Sequence, residues 1–403
     1  MTSIMRHLLQ FCEARRAWAL ETLSALVECE SPSTDKAAVD RCARVASQVL
    51  REAGAAVELL PCAAAGTIVL ARFGGPARGS QTGPSPERGS YLEPSRRTLL
   101  LGHLDTVWPV GQLETMPQRR EGNLLFGPGV LDMKAGIVIG ILAAMAWEEA
   151  GANRGAEVAI LLTGDEEVGS GESRTAIERE ARRSDAVLVL EPSLPGGAVK
   201  TARKGTGDFV LSVRGVEAHA GIEPDSGVSA ILELADQIGA VDALQNRELG
   251  TTVNVGVISG GRRPNVVAGE ASAWIDVRIS TAAEASRVQA ALAALRARRP
   301  GASVTVSGGF DRPPLERTAG VAALFKAARE AAAELGFDLR EGGTGGASDG
   351  NFTGALGVPT LDGLGADGAG AHAAHEHIVV DALPLRAALV AGLLTRLEDF
   401  KID

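Results

Sequence analysis

Five short stretches, far apart in the chain, carry histidines and carboxylates in combinations that can hold divalent cations and move protons. They are Leu101-Gly-His-Leu-Asp105, Gly129-Val-Leu-Asp-Met-Lys134, Thr163-Gly-Asp-Glu-Glu-Val-Gly169, Leu190-Glu-Pro192 and Gly370-Ala-His-Ala-Ala-His-Glu376. Borderline divalent metals take imidazole nitrogen and carboxylate oxygen, and hydrolytic centres keep a position open for water. His103, Asp132, Glu167, Glu191 and His372 offer two imidazoles and three carboxylates. Five ligands are too many for one open tetrahedral ion. They suit two ions roughly 3.5–4 Å apart if one carboxylate bridges. Asp132, between the other ligands in sequence and followed by a glycine-containing turn, is the expected bridge. The doubled acid Glu166-Glu167 sets one carboxylate on a metal and its neighbour in the cleft. That neighbour can accept a proton from a water whose pKa a zinc ion lowers toward ~7. Taken singly, a His-x-Asp loop or a Glu-Glu pair is usually solvated, and Glu191 before Pro192 could simply begin a turn. The five together argue for a site.

Elements must bring these stretches together. Thr98–Leu101, Val158–Leu162 and Ala186–Leu190 are apolar runs that read as buried strands, and three of the stretches come directly after them. Open α/β sheets place their sites at such carboxyl ends. Two amphipathic helices are expected near Leu8–Glu28 and Lys36–Ala53, the second with Val39, Ala43, Ala46 and Leu50 at helical spacing before Gly54. Gly74–Arg97, rich in Gly, Pro, Ser and Arg, reads as a surface loop. Strands and helices alternate to about Leu194, and the same style returns from about Leu315.

The segment between has another grammar. Strand Asp208–Arg214, helix Gly227–Leu244, strands Thr251–Ser259 and Ala271–Ile279, helix Ala282–Arg299 and strand Ala302–Ser307 give β-α-β-β-α-β, the split βαβ pattern. The expected fold is therefore α/β, a mixed sheet flanked by helices and interrupted by a ferredoxin-like domain. The boundaries read 1–202 and 310–403 for the interrupted catalytic domain and 203–309 for the insert.

Bulk properties narrow the function. A chain of 403 residues favours two domains, since single cores stop growing near ~250–300 residues. A net charge of −10 argues against nucleic acid as a partner. No apolar run is read as approaching the ~18 residues of a membrane span, and Met1–Phe11 lacks the features of a secretory signal, so the expected location is cytoplasmic. Cys12, Cys29, Cys42 and Cys62 show no CxxC spacing and read as buried free thiols.

The motif set resembles the M20 family of zinc peptidases and amidohydrolases, most of all its glutamate carboxypeptidase branch, from Cys29-Glu-Ser-Pro-Ser33 to Glu376. The resemblance implies a zinc-exopeptidase-like fold and two Zn²⁺, with Co²⁺ or Mn²⁺ as substitutes. His103, Asp132 and Glu191 would hold one ion, and Asp132, Glu167 and His372 the other. It makes Glu166 the general base, Asp105 the partner that orients His103, and the Asp132–Met133 peptide cis. The family motif selects His372, four residues before Glu376; His375 is the alternative and His377 faces solvent.

On the insert, Gly215-Val-Glu-Ala-His-Ala-Gly221 would carry His219 into the site of a partner subunit to stabilise an oxyanion. The family's substrate-carboxylate segments match Gly260–Val266 and Asp276-Val-Arg278. Arg278, Arg312, Asn265 and Lys200 are thus expected to read an α-carboxylate, although Asp276 and Arg278 share a strand face and could simply pair. Glu341-Gly-Gly-Thr-Gly-Gly-Ala-Ser-Asp349 resembles the cleft-lining glycine loop, with Gly345 at its centre, and lacks the Lys-Ser/Thr ending of a phosphate loop. Pro128 replaces a common arginine and Ala135 a usual glycine. The implied activity is release of a C-terminal amino acid, glutamate by preference, from a peptide or N-acyl conjugate by a homodimer paired through the insert. The alternatives are an aminoacylase or N-acetyl-amino-acid deacetylase and a non-catalytic metal-binding protein, the last opposed by Glu166.

Overall fold

The computed structural model describes residues 1–74, 96–151 and 155–398; most of the expected surface loop, residues 75–95, lies outside them. The chain divides into two compact units. One comprises Met1–Thr201, Arg317–Gly343 and Ser348–Asp403, and the other Ala202–Glu316 with Thr344–Ala347.

The first unit is built on a six-stranded mixed sheet in the order Ala56–Leu60, Ile68–Gly74, Ala156–Thr163, Arg96–His103, Ala186–Val189, Thr360–Leu361. The first two pairings are antiparallel and the last three parallel. The apolar runs are continuous because both faces are covered. Leu100, Ile160, Leu162 and Leu188 enter one core, while Leu99, Leu101, Leu161 and Val187 enter the other.

Two details depart from the expected elements. The first helix is two, Ser3–Ala14 and Arg16–Glu28, divided where Arg15 leaves helical geometry at ψ 14°. The segment Val130–Glu149 is also long and apolar enough to cross a membrane by length and composition, contrary to the sequence reading. It is apolar all round because it is a core helix, with 89% of its most apolar window buried. It packs against the terminal helix Ala382–Leu397.

The second unit has the order β-α-β-β-α-β: Gly205–Arg214, Ala230–Asp242, Thr252–Gly260, Glu270–Ile279, Ala282–Ala293 and Ser303–Arg312. Its antiparallel sheet runs Thr252–Gly260, Glu270–Ile279, Gly205–Arg214, Ser303–Arg312, the ferredoxin-like order. Phe209, Leu211 and Val213 alternate into its core with Ala273, Ile275 and Val277. The helix expected to reach Arg299 stops at Ala293. The carboxylate of Glu233 instead accepts the backbone N–H groups of Arg298 and Arg299 at 3.0 and 2.8 Å, which takes those residues out of the helical ladder.

Candidate metal centre

The sheet delivers the candidate residues to one end of the first unit. His103 is the last residue of its strand, Glu166 and Glu167 form a single 3₁₀ turn after Thr163, and Glu191 lies two residues past Val189. Two glycines let neighbouring chain crowd the Leu190–Glu191 corner. A Cβ on Gly136 would sit 1.9 Å from the carbonyl oxygen of Leu190, and one on Gly365 would sit 2.1 Å from the same atom. The Gly365 N–H donates to the Glu191 carbonyl at 2.9 Å, fixing the backbone of that residue.

Asp105 ties His103 to the acidic pair. It is fully buried. Its Oδ1 accepts from the Glu166 N–H at 3.2 Å and its Oδ2 from the Glu167 N–H at 3.1 Å and the Ser33 hydroxyl at 2.6 Å. Its backbone carbonyl lies 2.9 Å from His103 Nδ1. A proton on Nδ1 leaves Nε2 with its lone pair toward the cleft, the tautomer a metal ligand needs.

Asp132 stands at the centre. His103 Nε2 is 3.3 Å from its Oδ1 and 3.4 Å from Glu191 Oε1, whereas His372 Nε2 is 3.4 Å from its Oδ2 and 3.2 Å from Glu167 Oε1. Two groups therefore share Asp132, each with its ligand atoms within 4.8 Å of one another: His103, Asp132, Glu191 and Asp132, Glu167, His372. Asp132 Oδ1 is buried yet accepts no hydrogen bond among the described residues. A buried carboxylate with one oxygen orphaned and an imidazole beside each oxygen, next to two further carboxylates, is a donor set that fits divalent cations. The glycine turn expected after Asp132 precedes it, at Gly129 with φ 70°. On its other side Asp132 is joined by a cis peptide to Met133, and the core helix begins at Ala135.

His372, not His375 or His377, enters this cluster. It does so in the left-handed region, at φ 60°, a conformation uncommon for a residue with a side chain and often kept where function holds it.

The electrostatics show how strongly the cluster calls for positive charge. Asp132 and Glu167 push His372 up to about 10. Burial alone would lower His103, but Asp105, Asp132 and Glu191 raise it well above the ordinary range. Burial likewise works to raise Asp132, and the two imidazoles hold it well below the usual carboxylate value. Protons on the histidines thus stand in for cations. A folded-state value near 10 for His372, against ~6.5 unfolded, stabilises the metal-free protein fully below ~6.5, and that contribution is lost as pH rises through 10. The metal-free protein is therefore expected to lose Tm between pH 6.5 and 10, while the Tm increase on adding Zn²⁺ widens over the same window as cations replace protons. Thermal melts of both forms across that range check this, and a constant gap would refute it.

The remaining sequence candidates divide between the two units. Lys200 is buried in the first unit, beside the backbone of Asp362. His219, Asn265, Arg278, Arg312 and Gly345 belong to the second unit. His219 is exposed, and its Nδ1 accepts the N–H groups of Gly221 and Ile222 at 3.1 Å each. With Nδ1 accepting, Nε2 is the nitrogen left to act as a donor. Arg278 pairs with Asp276 through Nε at 2.9 Å and Nη2 at 2.7 Å, so the edge a bidentate substrate contact would use is already engaged. Arg312 is buried in its strand and Gly345 is exposed. All four cysteines are unpaired; Cys12 and Cys42 are buried, whereas Cys29 and Cys62 are half-buried. Sequence reading passed over Trp108 and gave Ser33 no role beyond marking where the family resemblance begins. It used Glu376 only as a motif marker, yet that side chain is fully buried and receives four hydrogen bonds.

This geometry and fold define a class. The sequence profile of peptidase family M20/M25/M40 matches residues 99–396. The chain belongs to that family and is a hydrolytic enzyme. It is 29% identical over 307 residues to Carboxypeptidase G2 of Pseudomonas sp. (strain RS-16), covering 74% of this chain and 73% of that one. It is 31% identical over 316 residues to the succinyl-diaminopimelate desuccinylase of Dechloromonas aromatica, covering 73% and 82%. Among solved structures it resembles the YXEP protein of Bacillus subtilis, a dinuclear metal-binding peptidase of the M20 family. That match has a TM-score of 0.69 and 17% identity, over 96% of this chain and 100% of that one.

Proposed function

We propose that this protein is a dizinc hydrolase that cleaves the amide bond joining an acyl group to a C-terminal amino acid, glutamate by preference. The observation that carries the reading is the shared Asp132 between two ligand groups, with Glu166 beside Glu167 but in neither group. Held there, two Zn²⁺ would polarise the amide carbonyl and acidify the attacking water. Co²⁺ or Mn²⁺ would fit the same mixed N/O donors. Glu166 takes the proton of that water and returns it to the leaving amine nitrogen. Asp105 holds the Glu166–Glu167 turn and His103 in register, and His219 offers its Nε2–H to the developing oxyanion.

The working form in this reading is a homodimer paired through the second unit. Strand Thr252–Gly260 ends the sheet, and no strand pairs beyond it among the described residues. It exposes Val257 and Ile258 at 56% and 65%, near a helix exposing Ile231 and Leu232 at 45% and 53%. An apolar, unpaired edge is a template for a second copy. His219 would then act in the site of the partner subunit. Neither nucleic acid nor membrane is part of the reading, and the cytoplasm is its proposed location.

Kinship with a carboxypeptidase supports a substrate with a free α-carboxylate, read by Arg312, Asn265 and Lys200, with Gly345 lining the cleft and Arg278 contributing beyond its pair with Asp276. Kinship with desuccinylases favours one second reading, a deacylase acting on N-acyl amino acids. Rates on a C-terminal glutamate dipeptide, N-acetylglutamate and an N-succinyl amino acid separate the two. Amidating the α-carboxylate of the best substrate is expected to lower kcat/KM by about 2–4 kcal/mol of transition-state binding. Equal cleavage of acid and amide would make this a general amidase.

A further inference from the structure

We propose that Glu376 is the positioning residue that sets the distance between Asp132 and His372, and so the fit of the ligand group they share; this rests on the two-metal reading. Its fully buried carboxylate gathers four donors from chain more than 240 positions away. Oε1 accepts the N–H groups of Leu131 at 2.8 Å and Asp132 at 3.0 Å, and Oε2 accepts the Gly129 N–H and the Trp108 indole N–H, both at 2.9 Å. The Glu376 backbone carbonyl takes a further N–H, from Gly127, at 3.3 Å. The next strand, His377–Val379, pairs with Leu124–Phe126. Backbone and side chain of this one residue therefore bind the segment ending in Asp132 to the loop that carries His372.

The anchoring suits the chemistry. The three backbone donors lie in the irregular segment just before the helix Ala135–Glu149, where Asp132 and Met133 leave helical geometry and their neighbours' N–H groups have no helical ladder to join. Beyond local turn bonds such as Lys134 N–H to the Gly129 carbonyl at 3.1 Å and Ala373 N–H to the Gly370 carbonyl at 2.9 Å, this carboxylate is what ties the turn at Gly129 to the segment of left-handed His372.

Glu376→Gln tests the proposal, because the volume stays while one oxygen becomes a donor. Whichever way the amide turns, two of the four N–H groups meet another N–H. In the metal-free variant, hydrogen exchange at Gly129, Leu131 and Asp132 is expected to speed up at least about tenfold. The apparent Zn²⁺ affinity, by competition with a chelator, should fall about 10–100-fold, and kcat should fall with KM within about twofold. Leu50→Ala, a core truncation elsewhere, is the comparison: it should lower Tm while leaving Zn²⁺ affinity unchanged. Wild-type exchange and wild-type affinity in Glu376→Gln would overturn the proposal, as would an affinity loss that Leu50→Ala reproduces. If Glu376→Gln does not fold, Glu376→Asp carries the same comparison, with smaller changes expected and unchanged affinity overturning it. Failure of the wild-type protein to take up Zn²⁺ would instead remove the two-metal reading on which the proposal rests and overturn both, whereas the exchange data still show whether Glu376 holds the backbone.

Discussion

Replacing Glu166 by alanine is expected to lower kcat by about two to four orders of magnitude while both cations stay bound. The expectation rests on the division of labour within one turn. Glu167 Oε1 lies 3.2 Å from His372 Nε2 and belongs to a ligand group, whereas Glu166 belongs to neither. Asp105 holds both backbones through separate oxygens, at 3.2 and 3.1 Å, so truncating one side chain leaves the other in place. Metal analysis alongside steady-state kinetics checks this, and a halved metal content would mean that the two acids share the ligand role. The same variant tests the dimer. Mixed with His219→Ala subunits, it should regain part of the activity through hybrids that assemble one intact site. No recovery after proven subunit exchange would place His219 within its own chain's site or outside the chemistry.

Replacing Asp132 by alanine should have a still broader effect, the loss of both cations and of measurable turnover. Among the described residues, Asp132 is the only member common to the two ligand groups. Its removal leaves one imidazole and one carboxylate on each side, fewer than the three protein ligands of a catalytic zinc site. Glu191→Ala and Glu167→Ala should each weaken one group alone. Zn²⁺ titrations of the three variants therefore distinguish a shared centre from two separate ones. An Asp132→Ala protein that still binds two ions tightly would exclude the bridge.

The candidate metal-binding residues were legible in the sequence because their chemistry is local and their placement is set by strand ends. His103, Glu167 and Glu191 each come within four residues of a strand buried on both faces, and such strands announce themselves as unbroken apolar runs. The split βαβ order of the second unit was legible for a related reason: alternation at period two and helical spacing are properties of consecutive residues. The apolar segment Val130–Glu149, whose regular helix begins at Ala135, was not read for what it is. Asp132 and Lys134 interrupt an apolar run whose burial depends on packing against Ala382–Leu397, far along the chain.

Groups whose partners are distant were settled by tertiary packing alone. Arg278 is the local exception: its partner Asp276 is two residues back on the same strand face, so the pair was open to sequence reading, and only the side-chain rotamers decided that it forms. The choice of His372 over His375 became physical only when a left-handed residue carried its imidazole to Asp132 and Glu167. Glu376 is the clearest case. In sequence it is one acid after a histidine-rich turn, yet in the fold it collects donors from Trp108, Gly129, Leu131 and Asp132. Residue types and their order established which atoms could bind cations and roughly which elements would carry them. The angstrom-scale spacing of the two candidate ligand groups is a property of the folded chain, held in part by hydrogen bonds to Glu376 from residues more than 240 positions away, which no local pattern encodes.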